Sequence, residues 1–479
     1  PLRHRSIDMV TVVEPGLPAA KGGTFATSVN PATGEEIARY PHDDTHAQDT
    51  AVAAAATAQK MWAALPVTER QRHLAELGAI LRAEIDTLAG SITAEMGKTI
   101  TAARAEVNKC AVLCDWYAAN SAALLADETP DIGADGTACI SYLPLGLIFA
   151  VMPWNFPLWQ VLRAAVPIMA AGNGFILKHA DNVQGSARLL AAAIAKTGMP
   201  EGLFGVLNIR RDDVPRLIAD PRIAGVTVTS GVAAGAAVAS EAGRHLKKSL
   251  LELGGSDPFI VLADADLDRA VPAAIEARFQ NCGQVCIAAK RIIVEEPVFE
   301  EFTRRFVAAA RALPQGDPAS DGTRIGPMAR TRLRTELHNQ VTRSLEMGAQ
   351  LLLGGEIPDG PGSYYPATVL IDVTPDMPVA REETFGPVAP LIKARTADEA
   401  VRIANDSDFG LSSAVWGGDE SQATRVAEML ETGGVFINGI SASDPRVPIG
   451  GIKQSGYGRE LSHFGLHEFC NAKLIWKRN

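Results

Sequence analysis

Three stretches of helical periodicity dominate the first part of the chain, at about 46–64, 68–96 and 101–125, with apolar residues returning every three or four positions. Ahead of them, Thr24 to Tyr40, with Asn30-Pro31-Ala32-Thr33-Gly34, reads as turn and short strands. Around 129–150 the period shortens, and Leu145-Gly146-Leu147-Ile148-Phe149-Ala150-Val151 has the continuous apolar character of a strand buried on both faces. From there strand and helix alternate. Strands near 173–177, 203–208, 223–229, 247–252 and 258–262 are separated by helices near 157–171, 183–198, 212–219 and 232–243. This alternation predicts a parallel sheet covered by helices on both faces. An amphipathic helix over Leu267 to Phe279 opens a second alternating block to about 437, with strands at 291–294, 388–393, 411–416 and 434–437. Two such blocks predict two sheets with a cleft between them, and ligands in such sheets sit at the carboxyl ends of the strands. The last segment, Asn471 to Lys477, alternates weakly and reads either as an edge strand that pairs with another subunit or as a frayed tail.

Length and composition narrow the picture. At 479 residues the chain exceeds what one ordinary core supports, so two or three domains are expected. A formal net charge of -10 argues against nucleic acid or anionic lipid as the main partner. Pro1 to Gly23 lacks the apolar run of a secretory signal. The longest uncharged span, Gly136 to Leu162, is broken as a membrane helix by Pro144, Pro153, Pro157 and Asn155, so a soluble protein is expected. Six cysteines in so long a chain make no disulfide framework, and a reducing cytoplasm fits them best. Cys110/Cys114 and Cys282/Cys286 are spaced for one helix face, but no histidine or further cysteine completes a zinc pattern, and no metal is expected.

The chemistry concentrates at Asn281-Cys282-Gly283-Gln284-Val285-Cys286, between the helix ending at Phe279 and the apolar strand Arg291-Ile292-Ile293-Val294. A thiol on a tight turn at such a junction is a nucleophile if its surroundings favour the thiolate; otherwise it is a small buried apolar residue. Val151-Met152-Pro153-Trp154-Asn155-Phe156-Pro157 sets an asparagine between prolines after a buried strand, where its amide could donate to a developing oxyanion or simply form a turn. Leu251-Glu252-Leu253-Gly254-Gly255 ends an apolar strand on a carboxylate, which burial would suit to general-base work. The common dinucleotide fingerprint G-x-G-x-x-G is missing. In its place a strand runs into Thr229-Ser230-Gly231 and opens a helix, a turn able to hold a phosphate on backbone N–H groups.

With Arg381-Glu382-Glu383-Thr384-Phe385-Gly386-Pro387-Val388 and Gly450-Gly451-Ile452-Lys453-Gln454-Ser455-Gly456-Tyr457-Gly458-Arg459-Glu460, these segments follow one another in the order of the aldehyde dehydrogenase superfamily, which the chain resembles from Asn30 onward. The interval from Glu252 to Cys286 is also the one that superfamily shows. The resemblance implies an α/β fold: a Rossmann-type cofactor domain over 1–128 and 144–250, a second α/β catalytic domain over 251–440, and a small oligomerisation β-extension from 129–143 and 466–479. It implies Cys286 as nucleophile, Asn155 and the Cys286 N–H as oxyanion donors, and Glu252 as the base that hydrolyses a thioester. It places Lys178 and Glu383 on the ribose hydroxyls of NAD or NADP, with Trp154, Ser230, Gly231, Gly254 and Phe385 also around the cofactor. The superfamily usually carries Gly-Ser where this chain has Ser230-Gly231, and Asp181 resembles forms that hydrogen-bond a free 2′-hydroxyl, which leans toward NAD.

Further segments, among them Leu177-Lys178-His179-Ala180 and Arg459 to Cys470, resemble a succinate-semialdehyde dehydrogenase subgroup. That implies an arginine for a distal carboxylate, matched by Arg163, while a second such arginine falls at Gln280; Ser441, Ser443 and Arg446 are candidates to complete the site. Loss of the second cation makes a broader enzyme for medium-chain or aromatic aldehydes the alternative. The implied assembly is a homodimer or homotetramer acting on a small aldehyde. A non-enzymatic protein that has kept the fold is the reading from another class, and Cys286, Glu252, Asn155 and Lys178 together argue against it. Cys282 is either a redox partner for Cys286 or an inert helix residue.

Overall fold

The computed structural model describes residues 24–479; the reading of Pro1 to Gly23 lies outside them. Two helix-flanked sheets form the body of the molecule. In the first, six strands run in the order Gly456–Tyr457, Lys248–Glu252, Ile223–Thr229, Leu147–Val151, Gly174–Lys178, Phe204–Val206. All are parallel except the short Gly456–Tyr457, which pairs antiparallel with Leu251 and Glu252. The chain enters at Leu147–Val151, moves outward through 174–178 and 204–206, then returns to the other side with 223–229 and 248–252. The strand order therefore reverses between Leu147–Val151 and Ile223–Thr229, and the crevice at their carboxyl ends is where a doubly wound sheet holds its ligand. The central strands read as unbroken apolar runs because helices cover both faces, and Ile148, Phe149, Ala150, Val226 and Val228 are fully buried.

The second sheet has seven strands in the order Gln350–Leu353, Thr368–Ile371, Val388–Ala394, Ala289–Glu295, Asp257–Val261, Ser413–Trp416, Val435–Ile437. Only the pairing of Gln350–Leu353 with Thr368–Ile371 is antiparallel. Glu252 ends a strand of the first sheet and Asp257 opens a strand of the second, so Leu253 to Ser256 is the hinge of chain between them. The strand Gly456–Tyr457 comes from 441–465, a stretch that the sequence reading assigned to no domain, and it returns the chain to the first sheet.

Two expectations need correction. The helical pattern at 68–96 is two helices, Val67–Ala83 and Ile85–Met96. Glu84 leaves helical geometry (φ -105°, ψ 17°) between them and pairs with Lys196, while Leu81 and Leu88 both stay buried. The C-terminal strand, Cys470–Lys477, is an edge strand and not a frayed tail. It pairs antiparallel with Thr137–Pro144 of its own chain, from Cys470↔Pro144 to Lys477↔Thr137. This ribbon leaves Leu143, Leu474, Ile475 and Trp476 exposed. Among the described residues no helix is long and apolar enough to cross a membrane.

Candidate active site

The parallel strands bring their carboxyl ends to one edge of the first sheet, and the polar residues found in separate motifs meet there. Leu147–Val151 leads to Trp154 and Asn155, Gly174–Lys178 ends on Lys178 with Asp181 just beyond, Ile223–Thr229 leads to Ser230 and Gly231, and Lys248–Glu252 ends on Glu252. Thr229 and Glu252 are register partners, and Ser230 N donates to Glu252 O at 3.1 Å.

Cys286 arrives from the second sheet's side through a strained turn. The helix Leu267–Phe279 stops, and Asn281 (φ 49°), Cys282 (φ 55°) and Gly283 (φ 70°) follow in the left-handed region. Left-handed backbone costs a non-glycine residue about 1 kcal/mol or more, so surrounding contacts must hold it. Asn281 Nδ2 donates to Asn155 O at 2.8 Å, Gln284 Oε1 accepts from Ala329 N at 2.9 Å, and a Cβ on Gly283 would stand 2.2 Å from Gly386 O. Asn155 Nδ2 donates to Gln284 O at 3.0 Å, so one of its two amide protons is already engaged on the loop that carries Cys286. Cys282 turns into the apolar core of the second sheet, and burial pushes its thiol up to about 12. It does not line the cavity on which Cys286 opens, which fits an inert residue better than a redox partner.

Cys286 is half-buried at that cavity, which has a volume of about 460 Å³ and is lined among others by Phe156, Trp159, Arg163, Gln280, Ser441 and Ser443. Burial holds its thiol up at about 11, opposed first by Arg163 and then by Lys290, so the resting side chain is the thiol. Lys290 ties two halves of the site together: its Nζ donates to Cys286 O at 2.6 Å and to Glu383 Oε1 at 2.8 Å. Glu383 Oε1 also accepts from Gly255 N at 3.1 Å, and a Cβ on Gly254 would lie 2.3 Å from Glu383 Oε2. A Cβ at 254 would therefore push the Glu383 carboxylate away from the backbone.

Glu252 stands behind Arg163 rather than on the cavity wall. It is fully buried, its Oε2 lies 3.5 Å from Arg163 Nη2, and burial pushes its carboxyl up to about 7 against the pull of Arg163. Its Oε1 is buried and accepts no hydrogen bond from the described residues, an unused acceptor. The Arg163 guanidinium also sets its Nε against the buried carboxylate of Glu460, which faces Glu252 with like charge. Arg163 therefore lines the cavity, as expected for a substrate contact, while already facing two carboxylates. Arg446 does not reach the cavity: its Nε and Nη2 donate to Asp444 at 2.7 and 2.8 Å on the surface. Gln280, Ser441 and Ser443 do line it, and Ser441 Oγ accepts from Ser412 Oγ at 2.7 Å.

The edge of the first sheet has the donors and acceptors that a dinucleotide needs. Lys178 Nζ donates to His179 O at 3.0 Å and Asp181 Oδ1 at 3.2 Å, leaving a third proton. Gly231 begins the helix Val232–Arg244 with no side chain capping its free N–H groups, and a Cβ there would meet nothing within 4 Å. Trp154 and Phe385 meet edge to face, with centroids 5.7 Å apart, and close one side. An uncapped helix start for a pyrophosphate, with a cation and a carboxylate for hydroxyls, fits NAD or NADP.

Sequence reasoning missed Lys290, Glu460 as a partner of Arg163, and Lys109, whose Nζ donates to Ser443 Oγ at 2.7 Å. The one signal for Lys109 was a charge on the inward stripe of its helix, where Glu106, Cys110 and Leu113 are buried.

Comparison with known proteins agrees with this geometry. The aldehyde dehydrogenase family model matches residues 18–475. The chain is 55% identical to the succinate semialdehyde dehydrogenase [NAD(P)+] Sad of Escherichia coli (strain K12), over 95% of this chain and 98% of that protein. It is 46% identical to the succinate-semialdehyde dehydrogenase [NADP(+)] of Mycobacterium avium (strain 104), over 94% of this chain and 96% of that one. The crystal structure of succinic semialdehyde dehydrogenase from Streptococcus pyogenes in complex with NADP+ superposes with a TM-score of 0.93 at 35% identity, covering 95% and 100% of the two chains. With a strained loop carrying Cys286 at the carboxyl edge of a doubly wound sheet, and matched along nearly its whole length by the family model and these relatives, this chain belongs to the aldehyde dehydrogenase family.

Proposed function

We propose that the protein oxidises an aldehyde carrying a distal carboxylate, succinate semialdehyde above all, to the acid with NAD or NADP. The observation that carries this reading is the cavity at Cys286, whose wall brings Lys98, Lys109 and Arg163 together beside the neutral donors Gln280, Ser441 and Ser443. The relatives named for succinate semialdehyde support it.

Cys286 Sγ attacks the aldehyde carbon after losing its proton, and Arg163 and Lys290 favour the thiolate. The oxygen of the tetrahedral adduct takes hydrogen bonds from the free Asn155 amide proton and the Cys286 N–H. A bound nicotinamide would supply the acceptor for the hydride lost from that carbon, so that the acyl group stays on Cys286 Sγ as a thioester. Glu252 then takes a proton from water, which adds to the thioester; the C–S bond breaks and the acid leaves with the thiol restored. A carboxyl held at about 7 is matched to that proton transfer near neutral pH. Lys178 and Glu383 would hold the ribose hydroxyls, with Trp154, Phe385, Gly254 and the Ser230–Gly231 turn around the rest of the cofactor, and Asp181 would favour NAD by opposing a 2′-phosphate.

The domain division we propose is cofactor binding by 1–128 and 144–250, catalysis by 251–440, and assembly by 129–143 with 466–479. The exposed Leu143, Leu474, Ile475 and Trp476 give the ribbon an apolar face, and we place the contact of a homodimer or homotetramer there. Light scattering on the intact protein tests it; a monomer refutes it. Six free cysteines fit a cytoplasmic enzyme.

The deciding experiment is a panel of succinate semialdehyde, hexanal and benzaldehyde with each cofactor. The expected result is a kcat/KM at least about tenfold higher for succinate semialdehyde, the size of one charge-assisted contact. Preference for hexanal or benzaldehyde would establish the broader enzyme instead, a reading favoured by the apolar walls Phe156, Trp159, Phe279 and Ile440.

A further inference from the structure

Four cations line the cavity that opens on Cys286, and three of them already face a carboxylate. Lys98 is buried against Glu106, whose Oε1 in turn accepts from Leu158 N and Trp159 N at 2.9 and 3.0 Å, so that pair is fixed to the start of the helix Trp159–Ala170. Arg324 pairs with Glu276 on the surface. Arg163 faces both Glu252 and Glu460. Lys109 is the exception. It stands on the helix Ile100–Leu124, half-buried, and among the described residues no carboxylate lies within ion-pair distance of its ammonium. Its Nζ lies 4.1 Å from the centroid of the Trp159 ring and donates one proton to Ser443 Oγ at 2.7 Å. Two of its three protons remain for another acceptor.

We propose that Lys109, held in place by Ser443 and Trp159, is the anion anchor of this cavity and pairs with the distal carboxylate of the substrate, while Arg163 serves Glu252. This rests on the function proposed above and assigns its specificity to a residue. The charge balance separates the two cations. Around Arg163 one guanidinium already meets two carboxylates, so a third would be repelled when both are ionised. At Lys109 a carboxylate meets an unshared charge with little water around it, where an ion pair is stronger than in bulk solvent. Gln280 lines the same cavity without charge, at the position where the family resemblance calls for a second arginine. The lysine supplies that charge from a different helix.

The state of Lys109 gives the anchor a signature in pH. Burial, then the Arg163 charge, lowers its ammonium to about 8, opposed by Cys110 and Glu106 on its own helix and by Asp444 in the loop beside it. It is therefore charged below about pH 8 and neutral above. KM for a carboxylated aldehyde should rise as pH passes that value, and KM for an uncharged aldehyde should not follow it.

The test compares succinate semialdehyde with butanal, its uncharged counterpart of equal chain length, in the wild type, in Lys109→Met and in Lys109→Arg. Lys109→Met keeps the volume and the contact with Trp159 while removing the charge. The expected result is a fall of about 10- to 100-fold in the ratio of kcat/KM for succinate semialdehyde over butanal, carried by KM, with partial recovery in Lys109→Arg. Inhibition by succinate relative to butyrate should weaken by a similar factor. An unchanged ratio in Lys109→Met overturns the anchor and leaves the proposed substrate standing. A wild-type enzyme that uses butanal as well as succinate semialdehyde overturns the substrate reading first. Should Lys109→Met fail to fold, the wild-type pH dependence of the two KM values decides the matter, and parallel curves overturn the anchor.

Discussion

Replacing Arg163 by methionine should damage the enzyme toward every aldehyde, by disabling the base rather than by loosening the substrate. The Arg163 Nη2 to Glu252 Oε2 distance is 3.5 Å, and at an effective dielectric constant of about 20 such a pair is worth roughly 5 kcal/mol in Coulomb terms. Water entering the vacated space and the remaining charge of Arg459 offset part of this. If about a third is lost, the carboxyl rises by roughly one pH unit. It now stands at about 7, so the acidic limb of the kcat profile should move to about 8 or above. At pH 7.5 the ionised fraction of Glu252 would drop from roughly three-quarters to about a quarter or less. Thioester hydrolysis slows accordingly, and NADH should appear as a burst of about one equivalent per subunit ahead of a slower steady state. The assay is stopped-flow absorbance at 340 nm across about pH 6 to 9.5 with succinate semialdehyde and butanal. An acidic limb that stays in place would refute this reasoning. So would a loss confined to succinate semialdehyde, which would return Arg163 to the role of carboxylate contact.

Three further outcomes follow from the geometry. Glu252→Gln keeps the shape but cannot take a proton from water, so steady-state turnover should fall about 10²- to 10⁴-fold while the burst survives; a burst lost together with turnover would move Glu252 to the acylation step. Gly283→Ala forces a Cβ to 2.2 Å from Gly386 O at a residue with φ 70°, and should lower the melting temperature and abolish activity together; an active variant with an unchanged melting curve would show that the turn can relax. Asp181→Ser removes the carboxylate beside Lys178 and should raise the ratio of kcat/KM for NADP over NAD by about tenfold, the size of one charged contact; a ratio that does not move would place 2′-phosphate discrimination elsewhere.

The amount of this protein legible in its residue order depended on the range of the interactions involved. Apolar periodicity reports which side of a single element is covered, so Leu147–Val151, Ile223–Thr229 and the helix Leu267–Phe279 were found close to their observed bounds. Cys286, Asn155 and Glu252 were legible as candidates because each sits in a short motif at the end of such an element: Cys286 after Gly283, Asn155 between prolines, Glu252 ahead of Gly254. The helix break at Glu84 was not, because no glycine or proline marks it and Leu81 and Leu88 carry the apolar stripe across it.

The site's electrostatics belong to the tertiary structure for the same reason. Arg163 meets Glu460, Lys109 meets Ser443 and Lys290 meets Glu383 only after the chain has been wound twice and closed by its C-terminal strands. Alone, the sequence determined which chemistry the chain carries, because reactive groups need particular neighbours within a few residues. Folding decided which cation stays free for a substrate, because an ion pair is chosen by proximity in space, and nothing local marks Arg163 as engaged or Lys109 as available.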